Sequence, residues 1–200
     1  MMQLIASELA CVRGGRRVFT GLSFSLAAGE ALVVTGRNGA GKSSLLRMLA
    51  GLVRIAAGHL HLEAGDPELS IPEQAHYLGH QDALKPSLSV EENLTFWSRY
   101  LGDTLRAEAL AEVGLETLAD LPAGFLSAGQ RRRLSLARLL AVPRPIWLLD
   151  EPTSALDAAS QVRLADVMRR HLAVGGMIVA ATHGPLGIEA ARELILGEQT

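Results

Sequence analysis

The segment Gly36-Arg37-Asn38-Gly39-Ala40-Gly41-Lys42-Ser43 constrains this chain more tightly than any other. It follows a β-branched apolar run, Ala31 to Thr35, that reads as a buried strand. It precedes Ser44 to Ala50, which reads as a helix closed by Gly51. Strand, glycine loop and helix in that order form the P-loop context. The glycines let backbone N–H groups converge on phosphate oxygens, and the helix N-terminus adds partial positive charge. Lys42 reaches the terminal phosphates and Ser43 offers its hydroxyl to Mg²⁺. Among 19 basic residues only Lys42 and Lys85 are lysines. A compact ammonium fits between phosphates where a planar guanidinium does not. The expectation is a nucleoside triphosphate site.

The remaining composition narrows the class. A chain of 200 residues with 48% hydrophobic content builds one domain, and a net charge of −2 implies neither disorder nor general nucleic-acid affinity. Cys11 stands alone in an apolar stretch, so it reads as core, and no internal disulfide is possible. No apolar run approaches the length of a membrane span, and the first residues do not read as a signal peptide.

Gln3 to Cys11 and Leu22 to Leu26 read as strands joined across Gly14-Gly15-Arg16-Arg17. His59 to Leu62 and Ala75 to Leu78 are short strands. After Gly79-His80-Gln81 the pattern turns helical, and Ser89-Val90-Glu91-Glu92 is a capping box opening a helix through Trp97 to Leu101. Leu105 to Val113 reads as another helix, in an insert spanning about 82–125 of a single domain 1–200. Beyond it come a helix from Gln130 to Ala141, a buried strand Ile146 to Leu149, a helix Ala158 to Leu172, a buried strand Met177 to Ala181, and an edge strand Arg192 to Leu196. This alternation predicts a largely parallel sheet covered on both faces.

Asp150 ends the second buried strand, where Walker-type ATPases hold Mg²⁺. Glu151 follows, placed to polarise an attacking water. Gln81 leaves a strand end with an amide to bridge metal and insert, and His183 follows the last buried strand within reach of a γ-phosphate. Leu126-Ser127-Ala128-Gly129-Gln130 opens a helix and so forms a second phosphate-binding N-terminus. One nucleotide does not need two such platforms from one chain. The second makes sense over a nucleotide held by a partner. Arg131 to Arg133 read as a solvated helix face, and His59 and His61 have no partner spaced for a metal site.

Six motifs in this order resemble the ATP-binding cassette (ABC) ATPases over nearly the whole chain. Gly36 to Ser43, with Ser44, matches Walker A, Gln81 the Q-loop, Leu126 to Gln130 the signature, and Leu148 to Thr153 Walker B with its glutamate. Ser154-Ala155-Leu156-Asp157 matches the D-loop and His183 the H-loop. The resemblance implies an α/β P-loop fold with an antiparallel β subdomain and a small α-helical subdomain. It implies ATP and Mg²⁺ as ligands, with Ser43, Gln81 and Asp150 on the metal. Lys42, Glu151 and His183 would be catalytic. Gly36, Arg37, Asn38, Gly39, Ala40, Gly41, Lys42, Ser43 and Ser44 would bind nucleotide, together with Gln81, Ser127, Ala128, Gly129, Gln130 and Asp157. It also implies a homodimer in the ATP state.

Two departures stand out. Ala128 occupies a signature position usually held by glycine, a mild change. Cys11-Val12-Arg13-Gly14 lacks the aromatic that usually stacks on adenine, leaving Arg13 or a weak base contact.

Within the family, Leu78 to Gln81, Ser89 to Leu94, Arg131 to Leu134 and Ala181 to Leu186 are similar to the ATPase subunit of haem exporters in bacterial cytochrome c maturation. That resemblance implies integral membrane partners, with Phe96, Trp97 and Tyr100 as a docking socket or as packing of the insert itself. It implies peripheral attachment at the cytoplasmic face of the inner membrane, and hydrolysis driving release of a haem-loaded chaperone. Neither nucleic acid nor direct haem ligation is implied. The alternatives are an ATPase subunit for a peptide, lipid or drug, a soluble ABC ATPase of repair or translation, and a GTPase or small-molecule kinase.

Overall fold

The computed structural model describes residues 1–102 and 108–197. Five parallel strands form the central sheet: β3 (Ala31–Gly36), β5 (Ala75–Leu78), β6 (Ile146–Asp150), β7 (Met177–Ala181) and β8 (Arg192–Leu196), in the order β5-β6-β7-β3-β8. A second, antiparallel sheet has the order β2-β1-β4, from β1 (Gln3–Arg13), β2 (Arg16–Ala27) and β4 (Ala57–Glu63).

Side chains alternate across the central sheet and feed two cores. Leu32, Val34, Ile146, Leu148, Met177 and Val179 face the antiparallel sheet and helix α1 (Lys42–Leu49). Trp147, Leu149, Ile178 and Ala180 face the other way, among residues of α2 (Val90–Tyr100), α3 (Ala109–Glu112), α4 (Ala128–Ala141) and α5 (Ala158–Ala173). Two apolar faces explain why these strands read as unbroken apolar runs. β4 turns one face inward instead, with Leu60 and Leu62 partly buried against the core and His59 and His61 exposed.

The β1–β2 hairpin is longer than the sequence predicts. Its strands zip up to Gly14 and Gly15, whose φ values of 53° and 75° suit a two-residue turn. Register shifts between Ala6 and Leu9 and again between Leu9 and Cys11, with Glu8 at φ 52°, break the period-two pattern. Cys11 is fully buried, as expected of a core residue.

The insert also departs from expectation. The helix predicted over Leu105 to Val113 is a single turn, Ala109–Glu112; its residues 105–107 lie outside the described residues. Gly114 has φ 64° and ends that turn. The capping box at Ser89 is present, with Ser89 Oγ accepting from Glu92 N and Glu92 Oε2 from Ser89 N. Buried Asn93 ties the preceding loop, donating to the carbonyls of Lys85, Leu88 and Ser89 and accepting from Lys85 N. Among the described residues no helix is long and apolar enough to cross a membrane.

Candidate functional site

The C-terminal ends of β3, β6 and β7 lie side by side, where ligands bind in open α/β sheets. β3 runs out at Gly36 with φ 134°, and a Cβ there would lie 2.3 Å from Leu196 O of the neighbouring β8. Only glycine lets the loop leave the sheet here. Gly41 then starts α1 at φ 106°, and a Cβ would stand 2.5 Å from Val18 Cγ1. No side chain caps α1, so its first amides are left for a ligand.

A cleft of about 760 Å³ opens at this point, lined by Asn38, Gly39, Gly41 to Ser44, Asp150, Glu151 and His183. Other grooves on the surface are of similar size. The chemistry of the lining singles this one out. Lys42, only 9% exposed, donates from Nζ to Gly36 O at 2.8 Å and to Arg37 O at 3.3 Å. Ser43 Oγ donates to Asp150 Oδ1 at 3.0 Å, and Asp150 is buried. Two hard oxygen donors that close suit an octahedral Mg²⁺, whose ligands at ~2.1 Å from the ion lie ~3 Å apart along an edge. Among the described residues no group of three or more His, Cys, Asp and Glu side chains gathers into a metal site. The donor set here therefore fits a cation shared with phosphate.

Glu151 leaves β6 in a left-handed conformation, φ 48°. Its N–H donates to Ala181 O at 2.8 Å, prolonging the β6–β7 ladder past Asp150. His183 Nε2 lies 3.9 Å from Glu151 Oε1, near enough for electrostatic contact but beyond a hydrogen bond. Thr182 Oγ1 accepts from Gly184 N at 3.1 Å and folds the turn that carries His183.

Gln81 and the Ser127–Gln130 turn do not line this cleft; His80 does, with Arg13, Val18 and Arg47. Gln81 is exposed. Ser127 caps α4 in a second capping box: Ser127 Oγ accepts from Gln130 N at 3.2 Å and Gln130 Oε1 from Ser127 N at 2.8 Å. Ser127 and Ala128 are exposed, whereas a Cβ on Gly129 would stand 3.0 Å from Ala155 O. Asp157 caps α5, accepting from Ser160 N at 2.8 Å, and that bond holds its carboxyl below the usual range. The β1–β2 hairpin reaches the cleft through Arg13 and Val18, which flank its turn.

Arg131 to Arg133 are not a solvated face. Arg131 Nη1 donates to Leu126 O, and Arg133 Nη1 to Val113 O and Gly114 O. Arg132 is 2% exposed and bonds to the Walker B turn. Burial pushes its guanidinium down, while Asp82, Asp150 and Glu151 oppose the shift. A helical signal existed in the sequence. Arg132, Ser135, Leu136 and Leu139 fall at i, i+3, i+4 and i+7, one inward stripe, and all four are buried.

The aromatic trio divides. Phe96 and Tyr100 are exposed and stacked, next to a groove bordered by Leu88, Glu91 and Arg99. Trp97 is half-buried, donating to Ala83 O and lying 4.4 Å from the Arg138 guanidinium. Burial lowers the Arg138 pKa to about 10.

A family model described as ABC transporter matches residues 19–154. The cytochrome c biogenesis ATP-binding export protein CcmA of Nitrobacter winogradskyi is 64% identical over 198 residues, 98% of each chain. Its counterpart from Bradyrhizobium diazoefficiens is 62% identical over the same span. A solved ATP-binding subunit of an ABC transporter superposes with a TM-score of 0.86 at 23% identity, covering 96% of this chain and 85% of the other. A putative ABC transporter ATP-binding protein from Pyrococcus furiosus does so at 0.81 and 21% identity over 97% of each chain. At those identities the likeness is one of fold.

Proposed function

This chain belongs to the ABC transporter ATPases, among the cytochrome c biogenesis ATP-binding export proteins, and we propose on that premise that it hydrolyses ATP between two copies of itself to power haem handling by a membrane complex. The observation that carries the reading is the Ser43–Asp150 pair at 3.0 Å, with Glu151 next in sequence and the P-loop on the neighbouring element. The triphosphate runs along Gly36 to Ser44, where uncapped amides of α1 receive it. Lys42 exchanges its two carbonyl partners for phosphate oxygens. Ser43 and Asp150 would hold Mg²⁺, with Gln81, outside the cleft in this structure, joining them once nucleotide is bound, and the ion would offset the charge on the phosphates.

Glu151 accepts a hydrogen bond from the attacking water and draws its proton, and His183 donates to the γ-phosphate. Ser127 Oγ already accepts a backbone N–H, so its own O–H remains to donate. Ser127, Ala128, Gly129 and Gln130 of a second copy therefore close over the triphosphate, with Asp157 beside them. Arg13 and Val18 border the base. The base contact is then aliphatic and cationic.

ABC ATPase subunits work with membrane subunits, and this chain attaches peripherally through them at the cytoplasmic face of the bacterial inner membrane. Phe96 and Tyr100 form the apolar part of the socket. Hydrolysis drives release of the haem-loaded chaperone. A Lys42→Ala strain is expected to export apocytochrome, to lack haem-staining c-type cytochromes and to accumulate loaded chaperone. Normal haem staining in that strain would remove the haem role and leave the ATPase.

A further inference from the structure

Asp150, Glu151 and Pro152 form a sharp turn off β6, and the middle residue is held at φ 48°. For a residue with a Cβ this conformation costs ~1–2 kcal/mol, so something must hold it. On the N-terminal side the Glu151 N–H is bonded to β7 through Ala181 O. The second holder is Arg132, from the first turns of α4. Its Nη2 donates to Asp150 O at 2.9 Å and to Glu151 O at 2.7 Å, and its Nε to Pro152 O at 3.4 Å. One guanidinium therefore takes three consecutive carbonyls of the turn.

The other edge of the fork is anchored elsewhere. Arg132 Nη1 donates to Gly79 O at 2.9 Å and meets Asp82 Oδ1 at 3.4 Å. Ser135, one turn further along α4, donates to Asp82 O at 2.6 Å and fixes that segment to the same helix. A planar fork with five donors satisfies both sets at once, and a lysine cannot. If the carbonyls were released, the peptides on either side of Glu151 would relax toward negative φ and swing the carboxylate off the cleft.

We infer that Arg132 is the positioning residue for Glu151, holding the strained turn that aims its carboxylate at the nucleotide cleft and at His183. This rests on the reading of Glu151 as the group that polarises the water. Arg132 itself touches no nucleotide, since it does not line the cleft.

The test is steady-state ATP hydrolysis by the full-length chain, comparing R132M, R132K, E151Q and R132M/E151Q. Displacing a catalytic group by about 1 Å costs on the order of 100-fold in rate, so R132M should lose about that much kcat while its KM for ATP moves less than about threefold. R132K, which keeps one donor head, should recover part of the loss. In single-turnover assays the R132M change should have no further effect, within about twofold, once Glu151 is already Gln. Wild-type kcat in R132M would overturn the inference. So would a parallel change in kcat and KM, or a full R132M penalty in the E151Q background. If R132M does not fold, R132K decides: reduced kcat at unchanged KM supports the inference and wild-type kcat refutes it. Wild-type turnover in E151Q would instead defeat the Glu151 reading itself.

Discussion

The P-loop helix and the signature helix both turn an N-terminus toward solvent, but they treat their first amides oppositely. α1 begins at Gly41 with no side-chain cap, and Lys42 and Asp150 beside it are buried. α4 begins with a complete capping box, and Ser127 and Ala128 are exposed. The first arrangement leaves donors waiting for an anion inside one chain. The second satisfies its own backbone and keeps only a hydroxyl to offer. One primed site and one quiescent, exposed site on the same chain is the asymmetry that the proposed closure of two copies over ATP requires.

The largest effect that sharpens this contrast comes from Glu151→Gln. Turnover should fall by about 10²- to 10⁴-fold, the usual yield of a positioned general base, while ATP binding persists at the primed site. Held in that state, the protein should dimerise in ATP and separate without it, as read by light scattering. Adding Ser127→Arg should weaken that dimer by about 2 kcal/mol or more, the scale of a buried interface hot spot. Loss of the cap costs ~1 kcal/mol of stability, so melting must be followed in parallel. A dimer indifferent to Ser127→Arg would break the comparison.

Glycine exchanges probe the same asymmetry at lower amplitude. Gly41→Ala places a Cβ 2.5 Å from Val18 Cγ1 at φ 106°, next to Phe19 Cδ1 at 3.1 Å. Val18 is β-branched and has little room to turn, so about 2–4 kcal/mol of stability should go, with ATP affinity. Urea unfolding and nucleotide titration would read both. Ala128→Gly, on the exposed side, should lower stability by at most ~1 kcal/mol through helix propensity. Turnover in that variant should remain within about twofold. A large effect there would mean that the methyl of Ala128 is a contact in the closed dimer.

The central strands were legible because burial on both faces leaves unbroken apolar runs bounded by turns, as at Ile146 to Leu149 and Met177 to Ala181. The capping box at Ser89 was legible too, since a cap is settled among four residues; the same spacing at Ser127 and Gln130 was read as a phosphate platform and proved to be a second box. The far half of the β1–β2 hairpin was not. Bulges near Glu8 and Leu9 shift the register, and an exposed ribbon with both faces partly solvated carries no clean alternation. Of the helix read over Leu105 to Val113, the described residues form a single turn at Ala109–Glu112, because their apolar side chains serve packing against α4.

By itself the sequence determined the chemistry at the strand ends. Glycines, Lys42, Ser43, Asp150 and Glu151 stand at spacings that backbone geometry converts directly into a phosphate cradle beside a carboxylate pair. Only the tertiary structure decided which groups meet across the chain. It brought His80 and Arg13 to the cleft and left Gln81 and Ser127 outside it. It also drew Arg132 out of an arginine run that looked solvated and under the strained turn at Glu151. The physical reason is range. Caps, turns and loops are written within a few residues, whereas the cost of a buried guanidinium is met by carbonyls 18 to 53 positions away.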